Sequence, residues 1–295
     1  MAVYTEVGFD AAAALFASLG LGRLTDLQGI RSGIENTNYY AGTERGQWVL
    51  TLFERLTRAE LPYYLHLMRH LAAAGIPVPA PQARGTDGTG ELLHELAGKP
   101  AAVTTRLPGS HRLAPTPTHC VQVGAMLARM HMAGASFAMQ QPHLRGLAWW
   151  RETVPAVLPH LQGSRAGPAG QPGRAAQAAL LQEELRFHEQ WAASAAGQAL
   201  PRGPIHADLF RDNVMFDDTA GEDRLCGFFD FYFAGTDTLL FDVAVCVNDW
   251  CSDQGSGRID EIRAGAFVAA YAAVRPLVAA ERRLMPALLR AAAFR

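Results

Sequence analysis

Lysine is nearly missing from this chain. Of its 26 positively charged side chains, Lys99 is the one lysine and arginine supplies the other 25. Any chemistry that calls for a lysine therefore has a single candidate. Cysteine is scarce as well. Cys120, Cys226, Cys246 and Cys251 show no C-x-x-C spacing, which argues against a zinc site or a disulfide framework and for reduced thiols in a cytoplasmic protein. No apolar run approaches the ~18 residues that a membrane span requires. The opening MAVYTEVGFD has neither the basic nor the apolar region of a signal peptide, so no membrane partner is expected. No basic run offsets the net charge of -2, so no nucleic-acid partner is expected either. No internal repeat is present, and nothing bears on oligomeric state.

What is present is ordinary for an enzyme. The 295 residues are 49% apolar and 18% charged, enough to bury a substantial core as one large domain or two lobes. Residues 9–19 have helical spacing and end at Gly20 and Gly22. From Leu24 the period shortens, and the stretch to Glu54 reads as strands with a hairpin tip at Arg45-Gly46. Thr57 and Glu60 have the spacing of a capping box before a helix that ends at Gly75. Two short strands then turn at Gly98-Lys99, and Pro108-Gly109 breaks the strand-rich region. Beyond it the chain reads as mostly helical. One helix has Thr118 as its expected N-cap, and others are expected over 178–196 and 260–274. Residues 163–177, rich in Gly, Pro and Ala, read as a solvated insertion. The expected layout is α+β: a strand-rich lobe over 1–107 and a larger helical lobe over 108–295.

The chemistry concentrates between Pro204 and Gly235. There HADLFRDN places Asp208 and Asn213 at the two ends of a short loop with apolar flanks, and GFFDFYF is expected to set Asp230 into an apolar strand. An unpaired buried carboxylate is costly, so Asp230 needs a cation. Phosphoryl transfer asks for these parts: a carboxylate to orient or deprotonate a hydroxyl, and oxygen ligands for Mg²⁺. Asp208 suits the first role. Asn213 and Asp230 suit the second.

The H-x-D-x-x-x-x-N pattern of His206, Asp208 and Asn213, followed by Asp230 in FFDF, resembles the aminoglycoside/choline kinase-like superfamily, protein-kinase-like in fold. The segments SGIENTNYYAG, WVLTLFE, AGKPAAVTTRLPG, RGLAWW and FDFYFAGTDTLLFDVAVCVNDWC extend the resemblance over nearly the whole chain, and within the superfamily it is to the homoserine kinase branch. The resemblance implies ATP and Mg²⁺ as cofactors and L-homoserine as acceptor. It implies Asp208 as catalytic base, Asn213 and Asp230 as metal ligands, and His206 and Asp242 as structural support. Ser32, Gly33, Asn36, Asn38 and Thr51 fall where relatives cover the nucleotide. Taken alone, the residues leave open another hydroxyl acceptor (an aminoglycoside, choline or a glycated amine) or a nucleotide binder without turnover.

Two departures stand out. The loop SGIENTNY has one glycine, and Thr51 occupies the strand position where many relatives carry a phosphate-pairing lysine. Whether Arg55 or Lys99 takes its place is open. For a zwitterionic acceptor, charge complementarity suggests Arg211 for the carboxylate and Asp249 for the ammonium, with Trp149 as a pocket wall. The helical spacing of 278–295 reaches Arg295 without a stop signal, so a further helix is expected in a longer chain.

Overall fold

Strand periodicity organises the first third of the molecule. In the computed structural model, which describes residues 4–31, 33, 35–85, 90–161, 173–219, 221–253 and 255–295, β1 (Leu24–Gly29), β2 (Asn36–Thr43), β3 (Gly46–Phe53), β4 (His94–Leu96) and β5 (Lys99–Thr105) form an antiparallel sheet in the order β1-β2-β3-β5-β4. Because successive side chains alternate faces, Tyr39, Ala41, Leu50, Leu52, Ala101 and Val103 share one face. They pack against Ala12, Leu15 and Phe16 of α1 (Phe9–Ser18). Each such large apolar side chain contributes roughly 1.5–3 kcal/mol by leaving water. The opposite face carries Asn38, Val49, Thr51 and Ala102, brought into line by the pairings Asn38–Thr51 and Thr51–Ala102.

The chain divides into two compact units: Met1–His111, Ser136–Met139 and Val214–Phe229 in the first, and Arg112–Ala135, Gln140–Asn213 and Asp230–Arg295 in the second. The first unit also holds α2 (Leu61–Ala73) and the hairpin of β7 (Val214–Asp217) with β8 (Arg224–Phe228). Ser110 bonds Phe216 through both its N–H and its carbonyl. Gly109, at φ +90, passes so close that a Cβ would lie 2.3 Å from the Phe216 carbonyl oxygen. The second unit is mainly helical: α3 (Pro117–Gly134), α4 (Leu147–Val157), α5 (Arg174–Ala193), α6 (Ala195–Gln198), α7 (Leu239–Trp250), α8 (Glu261–Val274) and α9 (Ala279–Phe294). β6 (Arg202–Ile205) and β9 (Gly235–Thr238) pair antiparallel within it. The expected α+β class holds. The four short strands β6–β9, each of four or five residues, interrupt a region expected to be mostly helical.

Several local expectations change. α3 is capped by Thr116 rather than Thr118: its hydroxyl accepts from His119 N, the His119 ring returns the bond to Thr116 N, and Pro117 takes the first turn. Only half of the box at Thr57 forms. Glu60 accepts from Thr57 N and Oγ1, so the Thr57 hydroxyl is itself a donor and caps nothing. Of the expected insertion, residues 163–172 lie outside the described residues, while Arg174–Gln177 form the first turn of α5. Asp230 is not in a strand. β8 ends at Phe228, and Asp230 adopts a left-handed conformation (φ 66, ψ 59) before a 3-10 turn over Phe231–Phe233.

Candidate active site

The loop after β6 is built on α7. β6 ends on buried Ile205, and His206, Ala207, Asp208 and Leu209 follow, each at most 9% exposed. Four α7 side chains on one helical stripe reach the loop. Asp242 accepts from His206 N (2.7 Å) through Oδ2 and from Ala207 N (2.8 Å) through Oδ1. Cys246 Sγ and Trp250 Nε1 donate to the Leu209 carbonyl. Asp249 Oδ2 accepts from Arg211 N (2.7 Å). Positions 242, 246, 249 and 250 are spaced i, i+4, i+7 and i+8, which is why one straight helix satisfies the whole loop. Ala207 has φ +64, a strained conformation for a residue with a side chain, and the Asp242 bonds hold it there.

Asp242 is buried completely. Burial alone would raise its carboxyl, but the hydrogen bond from His131, the nearby His131 and His206 rings and the His206 N–H hold it below the ordinary carboxylate range. His131 Nε2 lies 3.1 Å from Asp242 Oδ2, and its Nδ1 is 2.7 Å from the Tyr271 hydroxyl. Arg275 Nη1 donates to the same hydroxyl and to buried Glu281, whose carboxylate also accepts from Val278 N at the start of α9. One buried polar chain thus runs from the loop through α3 and α8 to α9. The His206 ring lies 4.5 Å from Phe231 and accepts from Asp208 N through Nδ1. Asp242 and His206 both bond backbone N–H groups of this loop.

The structure brings Asp208 and Asn213 together. Asn213 Nδ2 donates to the Asp208 carbonyl (2.8 Å) and lies 3.4 Å from Asp208 Oδ2. The amide nitrogen is therefore committed and the amide oxygen is directed elsewhere. Arg211 and Asp249, expected to read opposite ends of a zwitterion, are joined to each other. Arg211 Nε is 3.2 Å from Asp249 Oδ2, Nη2 donates to the Asp249 carbonyl and Nη1 to the Leu113 carbonyl. Trp149 and Trp150 point apart. Trp150 is buried against His188 and Phe294, whereas Trp149 is half-buried beneath the Arg145 guanidinium, 5.3 Å away, which also lies over Phe233.

In the first unit, Thr51 Oγ1 donates to Asn38 Oδ1 (2.7 Å), and Gly33 has φ +100. Asn36 begins β2, and Ser32 lies outside the described residues. Lys99 Nζ is 3.1 Å from Glu54, which also accepts from Thr5 and Thr37. By alternation along β5 it shares the face of Ala101, not that of Ala102 opposite Thr51. Arg55 is exposed.

Sequence reasoning missed one charge beside Asp208. Arg295, directly after α9, donates from Nη2 to Asp208 Oδ1 and from Nη1 to the Ala207 carbonyl, with its guanidinium over the Phe210 ring. A lone arginine 87 residues away in the chain carries no local signal for such a contact.

Comparison with known proteins accords with this geometry. The model of the phosphotransferase enzyme family matches residues 26–277. The homoserine kinase of Polaromonas naphthalenivorans (strain CJ2) is 57% identical over 295 residues, covering all of this chain and 87% of that protein. The homoserine kinase of Paraburkholderia phytofirmans is 51% identical over 299 residues, covering 100% and 86%. Among solved structures, amicoumacin kinase hAmiN in complex with AMP-PNP, Ca²⁺ and Ami superposes with a TM-score of 0.68 at 17% identity, over 95% of this chain and 83% of that one. Choline kinase from Cryptosporidium parvum Iowa II gives 0.59 at 14%, over 91% and 80%. The fold is thus that of the aminoglycoside and choline kinases, and the chain belongs to the phosphotransferase enzyme family and, within it, to the homoserine kinases.

Proposed function

We propose that the chain transfers the terminal phosphoryl group of ATP to the side-chain hydroxyl of L-homoserine, giving ADP and O-phospho-L-homoserine, a step of threonine biosynthesis. The observation that carries this reading is likeness along the whole of this chain, at 50–57% identity, to proteins named homoserine kinase. AMP-PNP in the amicoumacin kinase complex supports ATP as donor. In the transfer, the homoserine oxygen forms a bond to the γ-phosphorus, the bond from phosphorus to the ADP oxygen breaks, and the hydroxyl proton passes to Asp208.

Asn213 and Asp230 would hold Mg²⁺. Their chemistry fits: with Nδ2 donated to the Asp208 backbone, Asn213 offers a neutral amide oxygen, and Asp230 adds a carboxylate. The described residues contain no group of three or more His, Cys, Asp or Glu placed for a metal. Two oxygen ligands completed by phosphate and water are the usual magnesium arrangement. When bound, the ion supplies charge neutralisation of the phosphates.

The first unit covers the nucleotide through Ser32, Gly33, Asn36, Asn38 and Thr51, and the second carries the catalytic loop and the acceptor. Asp249, a quarter exposed in its side chain, faces the ammonium with the carboxylate oxygen that Arg211 does not take, and Trp149 walls the acceptor. Arg211, with its guanidinium committed inside the loop, acts as support for Asp249. A cytoplasmic setting accords with ATP as donor, with no disulfide among the four cysteines and with no described helix long and apolar enough to cross a membrane.

The test is ADP release from Mg²⁺-ATP with homoserine, serine, choline and kanamycin. Homoserine-dependent release, abolished by EDTA and restored by excess Mg²⁺, is expected. Release with choline or kanamycin alone, or with no acceptor in the panel, overturns the assignment.

A further inference from the structure

The two oxygens of the Asp208 carboxylate face different neighbours. Oδ2 lies toward Asn213, the amide offered to the metal, while Oδ1 lies against the Arg295 guanidinium. Both side chains keep some exposure, 12% for Asp208 and 17% for Arg295. Arg211, the cation within the loop itself, is 7% exposed and already bonded at Nε, Nη1 and Nη2. Arg295 instead uses one N–H on Asp208 and one on the Ala207 carbonyl. A guanidinium has five N–H donors in a planar fork, so an edge remains for a second anion. The Phe210 ring beneath it, 4.7 Å from the guanidinium carbon, fixes the plane.

Homoserine carries its carboxylate carbon four bonds from the reacting hydroxyl oxygen, a span of roughly 5 Å at ordinary bond lengths. A hydroxyl seated on Asp208 therefore brings the carboxylate within reach of a guanidinium that touches Asp208. Resting on the reading of the chain as a homoserine kinase, we propose that Arg295 binds the α-carboxylate of the acceptor and sets the preference for an amino acid over a simple amino alcohol. One guanidinium then spans the base and the substrate, coupling recognition of the carboxylate to placement of the hydroxyl.

The experiment compares homoserine with 3-aminopropan-1-ol, which is homoserine with hydrogen in place of the carboxylate. The unmutated enzyme is expected to favour homoserine by at least ~10-fold in kcat/KM, the scale of one charge-assisted pair. Arg295→Ala should lower kcat/KM for homoserine by ~10–100-fold more than for the amino alcohol, with the homoserine-specific part chiefly in KM; the loss shared by both acceptors reports the contact with Asp208. Arg295→Lys, which keeps the charge without the fork, should restore part of the preference. Equal turnover of the two acceptors by the unmutated enzyme overturns the proposal without any variant. So does an equal loss with both acceptors in Arg295→Ala, which would place Arg295 on Asp208 or on the phosphoryl group alone. Arg145→Ala is the comparison, since that guanidinium lies over Trp149, and loss of the preference there instead of at Arg295 also overturns it. An unmutated enzyme that releases ADP with neither acceptor fails the proposed function itself, a result distinct from all of these.

Discussion

Asp208 sits on a loop whose backbone is bonded almost atom by atom, so its side chain is delivered by its neighbours. The N–H of Asp208 is held by His206, its carbonyl by Asn213, and the residue before it by Asp242. Replacing Asp208 by Asn preserves shape and removes the proton acceptor. Turnover should fall by about 10²–10⁴-fold, the scale of a positioned base, while nucleotide affinity measured by calorimetry stays within about threefold. Equal losses in both would contradict the role. Asp242 makes a different prediction. Truncation to Ala leaves His206 N and Ala207 N buried without an acceptor and His131 without its carboxylate. Breaking a buried pair from one side costs about 3–5 kcal/mol, so the urea midpoint of Asp242→Ala should drop steeply. A change below about 1 kcal/mol would mean that water replaces those bonds.

At the scale of elements, two packings carry testable consequences. α3 crosses α8 at Gly124, where a Cβ would lie 2.4 Å from the Phe267 carbonyl oxygen. Gly124→Ala gains about 1 kcal/mol in helix propensity, but the obstacle is backbone and cannot rotate away. Overpacking costs about 1–3 kcal/mol, so a lower melting temperature is expected, and a higher one would contradict the close approach. The packing of α4, α5 and α9 buries His188 between Trp150 and Phe294, with Trp191 Nε1 donating to its Nδ1. Burial, partly offset by Glu184 and aided by Arg290, lowers this histidine from 6.5 to about 4. Between those values the unfolded chain binds a proton that the folded chain does not, so stability falls as pH falls through that window and is fully present above it. His188→Gln should flatten the pH dependence of the unfolding free energy between about 4 and 6.5. An unchanged slope would show that His188 titrates normally in the fold. α7 explains what was legible at this scale and what was not. Its aspartates stood out because they break an apolar run, but the stripe joining Asp242, Cys246, Asp249 and Trp250 to one loop becomes visible only once the helix is seen against Leu209 and Arg211. β6 and β9 are four residues each, too short for alternation to register, and the cap expected at Thr118 lies instead at Thr116 because Pro117 takes the first turn of α3.

For the whole molecule, the reading rests on residues that conflict with burial. Asp208, Asn213 and Asp230 stood out as candidates because a polar group in an apolar setting needs a reason. Even so, Asp230 proved to occupy a left-handed turn, since aromatic flanks look alike in a strand and beside one. The sheet was legible through strict alternation on β2 and β3. Lys99 shows the reverse case: as the one lysine it invited a phosphate role, yet its register on β5 points it to Glu54. Arg295 was illegible because nothing local distinguishes it, and only the docking of α9 brings it to the loop. The most direct test of the central claim is ³¹P NMR of a reaction of the purified chain with Mg²⁺-ATP and L-homoserine. The account predicts a new phosphomonoester signal, coupled to the γ-methylene protons of homoserine, growing as γ-phosphate is lost, and absent with Asp208→Asn. ATP consumed without that ester, or the ester formed equally well by Asp208→Asn, would contradict it.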